Sequence, residues 1–386
     1  MAVTSPLRIG VVGGGLAAQA AHLPSLAAMP GRFSLAALVE PDAALAATLC
    51  RRHGIERHYP ELADLLASNS VEAVVLTSPN ATHAPQVRAA LEAGLHVLVE
   101  KPMCISLADA DEIVAAQRRS GRVVQVGYMK RFDEAYEALL ADVPRASAIQ
   151  HIEVLTYDPR FVRFFDEGEI VAARPPDADA ADRLAALEHE QVRAAFGRDV
   201  GGPQAEAAFS SVFLGALVHD VNVVHGVLEA AGHAEPVDVV DAWWGRGRGG
   251  GGTARLANGA TWTTTWLDLP GAHEFQERIA VYADDGVREL RLIAPYSSLR
   301  TQASVYRRSG GQDARQIAHE VRALSSSFAR ELAHFHDCVR QGAPCRTPPE
   351  QARKDIELLT RMFACARDTR PGASPAEPLA AGTGRS

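Results

Sequence analysis

This chain has few features that would point to disulfides, membranes or nucleic acid. Its 386 residues include five cysteines, Cys50, Cys104, Cys338, Cys345 and Cys365. The odd count and the lack of any Cys-x-x-Cys pair argue against a disulfide framework. They fit buried or free thiols in a reducing cytoplasm. Cys104, two residues after Pro102, reads as a small apolar filler. No apolar run approaches the roughly 18 residues of a membrane span. The N-terminus, MAVTSPLRIG, lacks a basic region followed by an apolar stretch, so no secretory signal is expected. A net charge of −8 disfavours nucleic acid and anionic membrane as partners. No metal is expected. His334 and His336 are two apart and point to different helix faces, and no His/Cys/Asp/Glu cluster has metal-ligand spacing. The absence of a Gly-x-Ser-x-Gly elbow argues against a serine hydrolase, and no internal repeat is present.

What remains is ordinary globular material, 47% hydrophobic and 22% charged. The length exceeds one compact core and predicts two domains. In the first, short apolar runs alternate with helical patterns. Strands are expected at 7–12, 33–39, 73–77, 95–99 and 123–126. Helices are expected at 16–28, 43–53, 60–68, 82–93 and 106–120. Asp42 is a plausible N-cap, and Gly94 and Gly121 stop the helices they follow. Such alternation predicts an α/β fold with a doubly wound parallel sheet.

The pattern changes after about residue 135. A longer strand is expected at 148–156 and a helix at 210–229. Residues 160–208, rich in charge, Ala and Pro, read as an insertion, either a lid or an oligomer contact. Strand-like runs from Val237 to about Val321 have no long helices between them, which predicts an antiparallel or mixed sheet. The stretch Gly245–Gly252 reads as a flexible turn. A hairpin follows it, so it is no phosphate loop. Two helices, 328–340 and 349–366, close the fold. The division is 1–130 for a dinucleotide-binding domain, 131–370 for a substrate and oligomerisation domain, and 371–386 for a disordered tail.

Three constellations carry chemistry. Gly13-x-Gly15-x-x-Ala18 follows a strand and opens a helix. Its first glycine permits the tight turn, its second lets a pyrophosphate approach the backbone, and its small third residue allows close packing. Leu16 and Ala17 complete the loop. Glu40 closes the second strand, where a carboxylate accepts hydrogen bonds from ribose hydroxyls. It would repel a 2′-phosphate, so NAD is expected over NADP. Arg51 and Arg52 lie further along the next helix and face solvent. The second constellation is Thr77-Ser78-Pro79-Asn80-x-x-His83, on the same sheet edge and suited to the nicotinamide half. The plainer alternative is a capped turn starting a helix, with His83 packed on its first turn.

The third constellation is Glu100-Lys101-Pro102, at the end of the fourth strand. A lysine there points into the crevice where open α/β sheets bind ligands. It can lie beside a nicotinamide ring and a substrate hydroxyl. A cis bond before Pro102 would aim it inward.

The runs IGVVGGGLAA, TSPNATH and AGLHVLVEKPM, with Gly127-Tyr128-Met129-Lys130-Arg131-Phe132, resemble the glucose-fructose oxidoreductase/inositol dehydrogenase (Gfo/Idh/MocA) family. The resemblance covers the N-terminal 130 residues. It implies a Rossmann domain and a second α/β domain whose open, mainly antiparallel sheet forms one wall of the site. It also implies assembly as a homodimer or homotetramer. A second-domain histidine serves there as acid/base opposite the lysine, and His219 matches it. Many members carry an aspartate four residues earlier, where this chain has Gly215. Asp220 is adjacent to His219 and cannot share its helix face, whereas Asn222 can. The resemblance offers Tyr128, Arg131, Asp158, Asp220 and Asn222 as substrate contacts.

The expected function is hydride transfer between NAD and a hydroxyl or keto carbon of a sugar, cyclitol or related polyol. His219 would move the hydroxyl proton, and Lys101 would stabilise alkoxide charge. Two alternatives stand beside it. One is redox-neutral oxidation, elimination and reduction on a tightly held NAD. The other is a cofactor-sensing regulatory protein without catalysis.

Overall fold

The computed structural model describes residues 5–159, 170–174, 178–197, 200–232, 236–245, 248–294, 296, 304–309, 316–321 and 326–368. The expected tail at 371–386 and part of the expected insertion, residues 160–169, lie outside them.

Six strands form the first sheet: β1 (Leu7–Val12), β2 (Phe33–Val39), β3 (Arg57–Tyr59), β4 (Ala73–Leu76), β5 (His96–Glu100) and β6 (Val124–Gly127). All neighbours are parallel, in the order β3-β2-β1-β4-β5-β6. Helices cover both faces, so β4 is buried throughout and β1 at every residue but Arg8. Asp42 caps its helix by accepting from Ala44 and Leu45 N–H at 2.9 and 3.3 Å. Gly94 and Gly121 take φ of 78° and 64°. Strand β3 was not expected. Three largely exposed edge residues carry too little apolar signal.

The strand order reverses between β1 and β4. Val12 pairs with Leu76, and Leu76 with Val99. The residues just beyond these strands, Gly13, Thr77 and Lys101, therefore share one sheet edge at the topological switch point.

The second sheet has eight strands: β7 (Ile149–Asp158), β8 (Pro236–Trp244), β9 (Gly249–Leu256), β10 (Thr261–Asp268), β11 (Gln276–Ala283), β12 (Gly286–Leu292), β13 (Ser304–Ser309) and β14 (Gln316–Val321). Only β7 and β10 run parallel; the other pairs are antiparallel. Along β7, Ile152, Val154, Thr156 and Asp158 alternate inward.

Gly245–Gly252 is not a flexible turn along its whole length. The turn ends near Arg248, and Gly249–Gly252 are buried strand residues in β9. A Cβ on Gly250 would meet Val212 and Phe213 at 3.0 and 3.2 Å, and one on Gly252 would meet the Met362 sulfur at 3.3 Å. Glycine lets two helices lie directly on the sheet backbone.

The first of these helices corrects another expectation. Pro203–Ala230 is 28 residues long, with a mean hydropathy of 1.5 in its most apolar window, enough to cross a membrane by length and composition. That window is 72% buried inside the protein, so the helix is a core element. Its stretch Ala208–Leu217 is π-helical. From the region of the expected insertion, the helix Ala178–Phe196 packs on the first domain, with the Gln191 side chain donating to Ala81 O at 2.8 Å. The closing helices, Ser327–Gln341 and Pro349–Asp368, tie the sheets together. Leu332 and Phe335 pack with β1 residues, and Phe363 with Phe209 and Phe213.

Candidate functional site

At the end of β1, Gly13 adopts φ 94°, and a Cβ there would meet Thr77 O at 2.9 Å. Thr77 Oγ1 donates to Gly13 O at 2.8 Å and locks the two loops together. A Cβ on Gly15 would meet nothing within 4 Å, so the backbone at the helix start is open. Leu16 is exposed beside it, Ala17 is half-buried and Ala18 is buried. Glu40 Oε2 accepts from Gly14 N–H at 2.8 Å, and its Oε1 from Asp42 N–H at 3.0 Å. The carboxylate thus reaches the glycine loop. An open cradle, a helix N-terminus and an acid at the second strand end fit a dinucleotide.

The second loop is held from below. Ser78 Oγ donates to Gln86 Oε1 at 2.5 Å. Pro79 sets the entry to the helix Asn80–Glu92. The buried His83 ring lies between two carbonyls, with Nδ1 2.8 Å from Pro102 O and Nε2 2.9 Å from Ser78 O. His83 staples this loop to the Lys101–Pro102 turn, whose peptide bond is cis as expected. Glu100 meets buried His22 at 2.7 Å. Burial would raise its carboxyl, but His22, Lys101 and His83 together hold it low.

Lys101 lies with its Nζ donating to Gly215 O at 3.0 Å. Both line a cavity of about 100 Å³ between the domains, together with His219, Asp220 and Lys130. A larger cavity of about 580 Å³, near Arg8, His53 and Arg57, lies at the amino ends of the strands. The smaller one is the candidate site, because open α/β sheets bind ligands at their carboxyl ends.

Burial pulls the Lys101 ammonium below its usual range, with Lys130 adding to the effect. His219 is driven well below an ordinary histidine by burial, then by Lys130 and Lys101. It is therefore neutral at physiological pH. Its buried Nδ1 has no hydrogen-bond partner among the described residues. Asp220 is pushed up to about 8 by burial and by Glu277, against the pull of Lys130. Thr156 Oγ1 lies 3.2 Å from both Asp220 oxygens, and Lys130 Nζ lies 2.5 Å from Glu277 and 3.8 Å from Asp220.

Other expected contacts gather elsewhere. Asn222 Nδ2 donates to Asp355 at 2.8 Å and does not border the cavity. Arg131 donates to Asn222 O at 3.2 Å and lies over the Tyr136 ring. Tyr128 is buried, its hydroxyl pushed well up by burial and then by Asp355. Asn222 and Tyr128 adjoin Asp355 away from the cavity lining, with Arg131 bonded to Asn222. Asp158 is buried at the end of β7, also off the cavity lining.

The sequence reading missed Lys130, Thr156, Trp266, Phe275, Tyr296 and Phe328 on this cavity, and Glu277 behind Lys130. A signal existed for one of them. The chain has three lysines, Lys101, Lys130 and Lys354, and two line the site. The sequence reading also found no metal-ligand cluster, yet His334 converges with Cys338 and Cys345 elsewhere in the fold.

Residues 7–128 match the family model described as an oxidoreductase family with an NAD-binding Rossmann fold (Gfo/Idh/MocA). Inositol 2-dehydrogenase 3 of Saccharopolyspora erythraea is 38% identical over 134 residues, which is 34% of this chain and 39% of that relative. Among solved structures, UDP-N-acetylglucosamine 3-dehydrogenase from Acidithiobacillus ferrooxidans matches with a TM-score of 0.70 and 19% identity, covering 95% of this chain and 99% of that one. Myo-inositol 2-dehydrogenase from Lactobacillus plantarum matches with a TM-score of 0.66 and 17% identity, covering 94% and 98%. At these identities the structural likeness shows the fold alone.

Proposed function

From the membership of residues 7–128 in the Gfo/Idh/MocA family, with its NAD-binding Rossmann fold, we propose that this chain is an NAD-dependent dehydrogenase or reductase. It moves a hydride between the nicotinamide and a hydroxyl or keto carbon of a sugar, cyclitol or related polyol. The observation that carries the reading is the placement of Lys101 and His219, from different domains, on one cavity at the strand ends.

The Gly13–Ala18 loop and Glu40 hold the cofactor's phosphate and ribose portions, and Thr77–Asn80 flank its nicotinamide half. Glu40 sets the preference for NAD over NADP by charge. Bound there, NAD supplies the hydride acceptor. His219, neutral through burial, takes the proton of the reacting hydroxyl. An ammonium has three donors, and Gly215 O takes one of those on Lys101. The others stabilise the developing alkoxide. The reverse direction uses the same residues with the proton returned.

The test is a panel of sugars and cyclitols with NAD, read by absorbance of the reduced nicotinamide. Turnover on a polyol supports the proposal, and inactivity across the panel with a bound regulatory partner overturns it. One observation favours the redox-neutral variant. Val171 and Gln19 exchange hydrogen bonds at 2.9 and 3.0 Å, and Arg174 N–H donates to Asp42 at 2.8 Å. That segment fastens beside the glycine loop, next to where the cofactor would lie. Cofactor surviving purification, with no net absorbance change during turnover, would identify that variant. Assembly as a homodimer or homotetramer is supported by exposed Val237, Val240 and Trp243 on the edge strand β8, and light scattering tests it.

A further inference from the structure

A second group of reactive side chains lies away from the Lys101–His219 cavity. His334 and Cys338 stand one turn apart on the helix Ser327–Gln341, and Cys345 follows in the loop leading to Pro349. One imidazole nitrogen and both sulfurs lie within 4.8 Å of one another. Cys338 Sγ is 3.3 Å from His334 Nε2. With Zn–S near ~2.3 Å and Zn–N near ~2.0 Å, donors around a tetrahedral ion stand about 3.3–3.8 Å apart. The three atoms therefore need little movement to share one ion.

The chemistry of the donors agrees with the geometry. His334 Nε2 accepts from Arg346 N–H at 3.1 Å, so that nitrogen is unprotonated, and an ion would take its lone pair from this hydrogen bond. Cys338 is buried, while His334 and Cys345 are half-buried, which leaves an ion a way in. None of the three has a role in the hydride chemistry.

We propose that His334, Cys338 and Cys345 form a zinc-class site, with water completing the coordination. Two thiolates and an imidazole select Zn²⁺ over Mg²⁺ or Ca²⁺, which prefer oxygen ligands. The role is architectural. Thr347 lies two residues beyond Cys345. It accepts from Val126 N–H at 2.9 Å and donates to Val126 O at 2.8 Å. Val126 lies in β6, which leads directly to Met129 and Lys130 at the cavity. An ion at the cluster ties this loop to the helix and braces the wall of the site.

The test uses the full chain, kept reduced and stripped with chelator, then titrated with Co²⁺ alone. The expected result is about one Co²⁺ per chain, in the tetrahedral geometry these ligands give Zn²⁺. It shows thiolate-to-cobalt charge-transfer and visible d–d absorption, and Zn²⁺ bleaches both. The absorption should be lost in Cys338→Ser and in Cys345→Ser. Cys345 is half-buried, so its variant is the safer one for folding, and circular dichroism confirms the fold. Reduced wild-type protein that develops no cobalt absorption overturns the proposal. So does absorption that persists in folded Cys345→Ser.

Discussion

Lys101 donates to the main-chain carbonyl of Gly215 at 3.0 Å, across the boundary between the two sheets' domains. Here an uncharged carbonyl from a π-helical stretch positions it. No anion at residue 215 offsets the burial that lowers the Lys101 ammonium, although Glu100 opposes it in part. On the proposed mechanism, that lowering lets Lys101 share the proton chemistry with His219.

The pH–rate profile should show this. Burial and two lysines hold His219 well below the ordinary 6.5, and its working form is the neutral one. The acidic limb of kcat/KM should therefore fall at lower pH than an ordinary histidine gives. It should vanish in His219→Ala. An unchanged profile in that variant would assign the base to another residue.

Asp220 gives a stability prediction with a definite sign. Its carboxyl moves from 3.8 to about 8 on folding, so the folded state binds the proton more tightly. That contribution is complete below pH ~4 and is lost as pH rises through ~8. Asp220→Asn mimics the protonated acid. It should match wild type below pH ~4, exceed it increasingly between pH ~4 and ~8, and hold a constant excess above that in denaturant midpoint. A difference that stays constant with pH would contradict this reading.

The proposed preference for NAD rests on Glu40. Glu40→Gln keeps an acceptor for Gly14 N–H while removing the charge. Calorimetry should show the NADP-to-NAD affinity ratio rising roughly tenfold or more, the scale of one close charge repulsion. Wild-type protein that binds NADP more tightly than NAD would remove the basis of the claim.

Much of the site was legible in the sequence because its parts sit at strand ends. A buried parallel strand is a short apolar run, and the residues just past its last position must lie on the carboxyl edge. That logic located Gly13, Thr77, Glu40 and Lys101. Side-chain direction in the second domain was less legible. Asn222 stands three residues after His219, as helical spacing requires for a shared face, yet it bonds to Asp355 from the closing helix. Periodicity gives a face, but the partner on that face depends on tertiary packing. Lys130 was hidden for a similar reason: its partners Asp220 and Glu277 come from distant segments. The glycines of β9 misled because local composition reads as a turn, while a helix lying on the sheet needs them bare.

That packing can be tested directly. A Cβ on Gly251 would stand 2.2 Å from Thr264 O on the neighbouring strand, whereas one on Gly245 would meet nothing within 4 Å. Gly251→Ala should cost about 1–3 kcal/mol by chemical denaturation, the usual scale of overpacking. Gly245→Ala should stay near wild type. Equal stability of the two variants would contradict a buried strand at Gly249–Gly252.

The most direct test of the central claim is turnover by Lys101→Ala on a polyol that the wild type oxidises, measured with NAD affinity by calorimetry on the same samples. The account predicts that NAD still binds while kcat falls by roughly 10²–10⁴, the range of a positioned acid–base or charge-stabilising group. Full turnover in that variant would contradict it.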